Sequence, residues 1–178
     1  GFFKMNEITL KYQKYDGKWS NEIKRELFGG AQVSAVLPYD PDNKKIVLIQ
    51  QFRPGTISKK SDNYLDEIVA GIIDKGETPE ETAIRECFEE TGCKAKNLRA
   101  IQGYFPAPGS SESFYHLFLG EVVAPNKEII KGLENENEDI LVKSYSFEEV
   151  KKKMENNEIL NGLTLIALQW FFLNIYKS

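Results

Sequence analysis

Residues 71–93 read GIIDKGETPEETAIRECFEETGC, a stretch that sets Glu77, Glu80, Glu81, Glu86, Glu89 and Glu90 around a single arginine, Arg85. Thr78 is a good N-cap, Pro79 sits at the first helical position where its missing N–H costs nothing, and Glu81 completes a capping box three residues after the cap. Gly92 is a natural left-handed residue just past a helix end. The signals predict a helix over residues 79–91, about three turns long. Ala83, Ile84, Cys87 and Phe88 recur at helical spacing as one apolar stripe, with Arg85, Glu86, Glu89 and Glu90 on the other side.

Glu86 lies four residues from Glu90 and three from Glu89, so these carboxylates are neighbours on the helix surface and repel one another. Arg85 is four residues from both Glu81 and Glu89 and can relieve them, but it cannot serve the whole set. Converging hard oxygen ligands suit Mg²⁺ or Mn²⁺, and such sites commonly share the ion with substrate phosphates. For an arbitrary glutamate-rich helix a solvated acidic face is the commoner reading. The spacing of the whole stretch reverses that preference.

Gly71, five residues, Glu77, seven residues, then Arg85-Glu86, an aliphatic slot, a free position, Glu89-Glu90, a free position and Gly92 with a second aliphatic slot fill a long gapped motif. Cys87 and Cys93 occupy the two apolar slots. On these residues the chain resembles the Nudix hydrolase family. The resemblance implies a Nudix sandwich, a mixed β-sheet flanked by helices, and hydrolysis of a nucleoside diphosphate linked to another group.

A length of 178 residues suits one domain with a sizeable core. The balance of 23 basic and 27 acidic residues, net −4, contains no dense basic cluster, so nucleic acid is not an expected partner. Lys151, Lys152 and Lys153 share a predicted helix with Glu148 and Glu149 and read as a solvated face. Cys87 and Cys93 are poorly placed to bridge, so both are expected as reduced thiols in a cytoplasmic setting. His116, the sole histidine, lies in an alternating apolar segment and cannot by itself build a zinc site. The chain opens Gly-Phe-Phe with no basic leader and no initiator Met, which reads as a trimmed start with residues missing upstream. Residues 163–176 are apolar but too short for a bilayer span, and read as a buried helix carrying Trp170, Phe171 and Phe172. No membrane association is expected.

Residues 8–15 and 19–28 read as two strands about the turn signal Asp16-Gly17, an N-terminal antiparallel pair. Strands are also expected at 32–39, 45–52, 64–70, 98–104, 114–123 and 140–145. Asp40-Pro41-Asp42-Asn43 mimics the opening of a calcium loop, but Lys45 and Gln51 stand where that loop needs Gly and Glu, so it reads as a turn. Ser146 and Glu149 form a second capping box, opening a helix to about residue 155. The expected architecture is an α/β (α+β) sandwich. The resemblance implies that residues 1–29 serve dimerisation and adenine binding as part of the same domain, and that residues 30–178 form the Nudix hydrolase domain.

Substrate choice must lie outside the motif. Residues 21–28, Gln51-Phe52-Arg53-Pro54, Pro106-Ala107-Pro108-Gly109, the acidic run 132–139 and residues 161–170 are together similar to the ADP-ribose pyrophosphatase branch. Pro108, fifteen residues after Cys93, stands where a proline marks ADP-ribose-specific members. The resemblance implies Glu86 and Glu90 as ligands of Mg²⁺ or Mn²⁺, with two or more ions. Glu89 would be a ligand or the support of one, the Ala70 carbonyl would complete a site, and Glu138 would add a ligand from the distant loop. Glu136 becomes the candidate base for the attacking water, with Glu89 and Arg85 in the same catalytic set. Arg53 would hold a diphosphate oxygen. Phe2, or Phe3 if the register slips, and Arg25 are candidates for sandwiching adenine, and Glu112 for contacting ribose or phosphate. The implied reaction is attack of activated water on one phosphorus of ADP-ribose, giving AMP and ribose 5-phosphate, in a homodimer with exchanged N-terminal strands. Two other readings stay open: hydrolysis of another nucleotide sugar such as GDP-mannose or ADP-glucose, and a non-catalytic module that senses ADP-ribose.

Overall fold

The computed structural model describes residues 4–59, 63–132 and 137–176. Its N-terminal unit is a two-stranded antiparallel sheet of β1 (Met5–Leu10) and β2 (Ile23–Phe28). The turn between them falls at the expected place: Gly17 has φ +80°, and Asp16 Oδ1 accepts from the Lys18 amide at 3.0 Å. The strands are shorter than the pattern suggests. Between residues 10 and 23 only an isolated bridge, Gln13 to Trp19, continues the ladder, because this stretch is exposed and has no buried face to hold its register.

An eight-stranded mixed sheet forms the body. It comprises β3 (Gln32–Asp40), β4 (Lys45–Phe52), β5 (Tyr64–Glu67), β6 (Val69–Ile72), β7 (Lys96–Tyr104), β8 (Phe114–Glu121), β9 (Ile129–Lys131) and β10 (Ile140–Ser146). The order is β7-β8-β3-β4-β10-β9, with β3 parallel to β8 and its other partners antiparallel. β3 and β4 pair only through Tyr39–Ile46 and Asp40–Lys45 and then part, β6 taking the free edge of β3 and β5 that of β4. The single strand expected at 64–70 is therefore two, separated at Ile68. The Ile68 amide, at this split, donates to Thr164 Oγ1 at 2.9 Å. β9 escaped the sequence reading because three residues carry no usable period.

The turn at residues 40–43 is held by buried Asp40, which accepts from the Asn43 side chain and amide and from the Ala124 amide, each at 2.9 Å. These bonds keep its carboxyl below the usual range against the cost of burial.

Helices cover both faces of the sheet. α1 (Pro79–Thr91) packs on one face, α2 (Phe147–Glu155) and α3 (Gly162–Asn174) on the other. The period-two alternation of β3 and β4 divides the core accordingly. Ala35, Leu37, Ile46 and Leu48 meet Phe147, Val150, Leu168 and Phe171; Val36, Val47 and Ile49 meet Ala83 and Cys87. Each fully buried aliphatic or aromatic side chain contributes roughly 1.5–3 kcal/mol. Both expected capping boxes form, Thr78 with Glu81 and Ser146 with Glu149, and Gly92 closes α1 at φ +73°. Both cysteines are buried free thiols.

Three local expectations need correction. Ile84 and Phe88 are 44% and 51% exposed, while Thr82, Ala83, Cys87, Glu90 and Thr91 form the buried face of α1. The packed stripe is therefore rotated, and it takes a carboxylate, Glu90, inside. Arg85 pairs with Glu77, Glu86 and Glu89 rather than Glu81, whose carboxylate is committed to the Thr78 cap. Lys153 is not simply solvated: it bridges α2 to buried Asp66 of β5 at 3.0 Å.

Candidate active site

Two adjoining depressions share the backbone of Ala70, Gly71 and Ile72. The smaller, about 320 Å³, is lined by Asp74, Arg85, Glu86, Glu89, Glu90 and Glu138. The larger, about 1320 Å³, opens between the N-terminal unit, the loop at residues 104–115 and the start of α3, with Arg53, Glu67, Tyr104 and Glu112 in its wall. β6 carries the shared backbone past α1. A Cβ on Gly71 would lie 1.9 Å from Glu86 Oε1, so only glycine lets that carboxylate reach the pocket.

The fold aims α1 at this pocket in two ways. Ser34 Oγ of β3 donates to the Pro79 carbonyl at 2.6 Å, tying down the first turn. Arg85 then spends its guanidinium on carboxylates. Nε and Nη2 reach the two oxygens of Glu77 at 2.9 Å, and Nη1 reaches Glu86 Oε1 at 2.8 Å and Glu89 Oε2 at 2.9 Å. The Arg85 hydrogen bonds hold Glu77 down at about 2, and Thr82 Oγ1 adds another at 2.8 Å. The same partners, Glu77 foremost, raise the arginine's own pKa. Arg85 is thus a hub that orients Glu86 and Glu89.

Glu90 is different. Only 5% exposed, it has one carboxylate oxygen, Oε2, buried with no hydrogen-bond partner among the described residues. Burial pushes its pKa well above the carboxylate range, and Glu86 and Glu138 push the same way, opposed by a bond from the Ala70 backbone and by the charge of Arg53. Burial likewise raises Glu86 against the pull of Arg85. An orphaned buried acceptor among like charges is an expensive arrangement. An all-oxygen donor set of this kind fits a hard divalent cation. Among the described residues no three acidic, histidine or cysteine side chains form a finished metal cage.

The structure brings Ala70, Arg85, Glu86, Glu89, Glu90 and Glu138 to one pocket, and Arg53 and Glu112 to the adjoining cavity. Glu138 arrives from the connection between β9 and β10, where Gly132 at φ +110° packs against the Glu138 backbone. Glu112 accepts from Asn6 Nδ2 at 3.4 Å, linking the cavity wall to β1. Arg25 lies exposed on β2, its Nη1 on the Lys24 carbonyl at 2.8 Å, and does not line the cavity of its own chain. Pro108 is exposed next to the lining residues Pro106 and Ala107. Phe2, Phe3 and Glu136 lie outside the described residues.

Sequence reasoning missed Glu67. It is buried at the end of β5 and takes Arg53 in a two-pronged pair, Nε to Oε1 at 3.0 Å and to Oε2 at 3.2 Å, and Nη2 to Oε2 at 2.8 Å. The available signal was two successive acids, Asp66 and Glu67, inside an otherwise apolar strand; a buried acid is more informative than any apolar neighbour.

The NUDIX domain pattern matches residues 30–163. The chain is 37% identical over 177 residues to the ADP-ribose pyrophosphatase of Haemophilus influenzae, covering 98% of this chain and 82% of that protein. It is 34% identical over 174 residues to the ADP-ribose pyrophosphatase of Escherichia coli, covering 98% and 83%. It is 29% identical over 170 residues to the GDP-mannose pyrophosphatase of Shigella flexneri, covering 95% and 87%.

Proposed function

The chain belongs to the NUDIX hydrolase family, and from that premise we propose that it hydrolyses the diphosphate of ADP-ribose with a divalent cation, releasing AMP and ribose 5-phosphate. The observation that carries the metal dependence is the orphaned, buried Glu90 oxygen beside Glu86, Glu89 and Glu138. The names and coverage of the Haemophilus and Escherichia relatives favour ADP-ribose. A cavity of about 1320 Å³ adjoining the carboxylates leaves ample room for a nucleotide sugar.

In this reading Glu86 and Glu90 hold Mg²⁺ or Mn²⁺, with Glu89, Glu138 and the Ala70 carbonyl completing sites for two or more ions. When bound, such ions polarise phosphoryl oxygens, acidify water and neutralise charge on the leaving group. The chain's own groups do the rest. Glu136 takes the proton of the attacking water. Arg53 faces a diphosphate oxygen with a guanidinium already oriented, so little ordering remains to be done as charge develops. Arg85 keeps Glu86 and Glu89 in place.

The N-terminal unit exposes Met5, Tyr12, Tyr15 and Trp19. We infer a homodimer formed through it, in which Arg25 and Phe2 serve the partner's cavity; Arg25 does not line its own. Light scattering that shows a stable monomer at micromolar concentration would sink this. Among the described residues no helix is long and apolar enough to cross a membrane, and two buried reduced thiols favour a cytoplasmic setting.

A second reading, GDP-mannose hydrolysis, is favoured by the Shigella relative at 29% identity. One experiment separates the two. ADP-ribose, ADP-glucose and GDP-mannose are incubated with Mg²⁺, with Mn²⁺ and without either ion in oxygen-18 water and the products analysed. Mg²⁺-dependent AMP and ribose 5-phosphate, with label on a single phosphate, is expected. Preference for GDP-mannose, or no turnover with either Mg²⁺ or Mn²⁺, would overturn the assignment.

A further inference from the structure

Arg53 stands at the boundary between the two depressions, subject to two competing attractions. It lines the larger cavity with Ala70, Gly71 and Ile72, residues that also border the carboxylate pocket. Glu90 and Glu138 both act on its charge, and one oxygen of Glu90 has no hydrogen-bond partner among the described residues. A guanidinium is permanently charged, weakly hydrated and shaped to take carboxylates two at a time. Left to these attractions alone, it would be a ready substitute for a cation in the pocket. Glu67, 4% exposed and paired to Ile49 of β4 within β5, takes Nε and Nη2.

We propose that Glu67 is a positioning residue which holds Arg53 on the substrate side of this boundary and keeps its guanidinium out of the cation site. The inference rests on the reading of the Glu86–Glu90 cluster as a divalent-cation site. An ion pair with one partner buried and the other half-exposed is a poor source of net stability, since desolvation of Glu67 offsets much of the attraction. Its value here is to deny Arg53 a second position, much as the outer partners of metal ligands fix ligand geometry elsewhere.

The test is Mn²⁺ binding followed by the loss of free-ion electron paramagnetic resonance signal, on wild type, Glu67→Gln, Arg53→Ala and the double variant, without substrate. Glu67→Gln is nearly isosteric but releases the fork, and should weaken Mn²⁺ binding roughly tenfold. Arg53→Ala should bind at least as tightly as wild type. The double variant should return to the Arg53→Ala level, because the intruding group is gone. An unchanged Mn²⁺ affinity in Glu67→Gln overturns the proposal. So does a double variant as weak as Glu67→Gln, which would mean that Glu67 supports the local fold rather than restrains Arg53. No Mn²⁺ binding by wild type sinks the cation reading itself, and this inference with it.

Discussion

Gly71 and Glu86 are in such close approach that a methyl group on residue 71 would occupy the space of the Glu86 carboxylate, 1.9 Å from Oε1 and 2.1 Å from Cδ. The obstacle is the far end of a flexible side chain, so Gly71→Ala should fold with little loss of melting temperature while turning Glu86 away from the pocket. A displacement on the order of 1 Å at a reacting centre costs about 10²-fold, and kcat for the preferred substrate should fall by that much. Wild-type kcat with an unchanged melting temperature would show that Glu86 does not need its observed position.

Much of this geometry was legible because it is written in local signals. The bounds of α1 followed from Thr78, Pro79, Glu81 and Gly92, each acting within one turn of its neighbours. The strands β3 and β4 followed from two short apolar runs joined at the turn signal Asp40-Pro41-Asp42-Asn43, and each is buried as an almost continuous run. The rotation of the α1 stripe was not legible, because it depends on what β6 and β3 present to the helix. Taking in Glu90 rather than Phe88 runs against hydrophobicity and fits the proposed cation site. The pairing of Arg53 with Glu67 depends on β5 lying against β4, a contact between strands that no periodicity reveals.

Acid should loosen the site through Glu77. Its folded pKa, about 2, lies below its ordinary 4.5 because of Arg85 and Thr82. A depressed carboxylate contributes stability that is present above the ordinary value and is lost as pH falls through the folded one. Thermal stability should therefore decline between about pH 5 and pH 2, and Glu77→Gln should flatten that decline while lowering stability at pH 7. A Glu77→Gln melting profile with wild-type slope over this range would show that other carboxyls dominate.

The split between β5 and β6 depends on a side chain 96 residues away. Thr164 Oγ1 is the acceptor for the Ile68 amide, and Asn161 Oδ1 in turn accepts from the Thr164 amide at 2.9 Å and from its hydroxyl at 3.1 Å. Thr164→Val keeps the shape but strands a buried N–H, at a cost of about 1–3 kcal/mol. For a chain of this size each kcal/mol is worth roughly 2–4 °C. Thr164→Ser retains the acceptor and should recover most of the loss. Equal melting temperatures for the valine and serine variants would exclude the hydrogen bond as the cause.

Glu90 sets binding against folding, and the two can be separated by pH and metal. Burial raises its pKa in the folded state, with Glu86 and Glu138 adding to the effect. The folded protein then binds more protons than the unfolded chain once pH exceeds the ordinary value of 4.5, so stability falls as pH rises from there toward the folded pKa. In chelator, wild type should therefore melt lower at pH 8 than at pH 5.5, apart from the contribution of other groups. Glu90→Gln removes the buried charge and should raise the melting temperature at pH 8, by about 1–3 kcal/mol in stability, while narrowing the difference between the two pH values. A divalent cation offers the charged form its missing partner, and binding to the folded state alone stabilises by mass action. Mg²⁺ should accordingly raise the melting temperature of wild type at pH 8 and leave Glu90→Gln unmoved, while the variant loses most turnover. Should Glu90→Gln melt below wild type in chelator and still respond to Mg²⁺, the carboxylate would be serving the fold and the cation would be bound elsewhere.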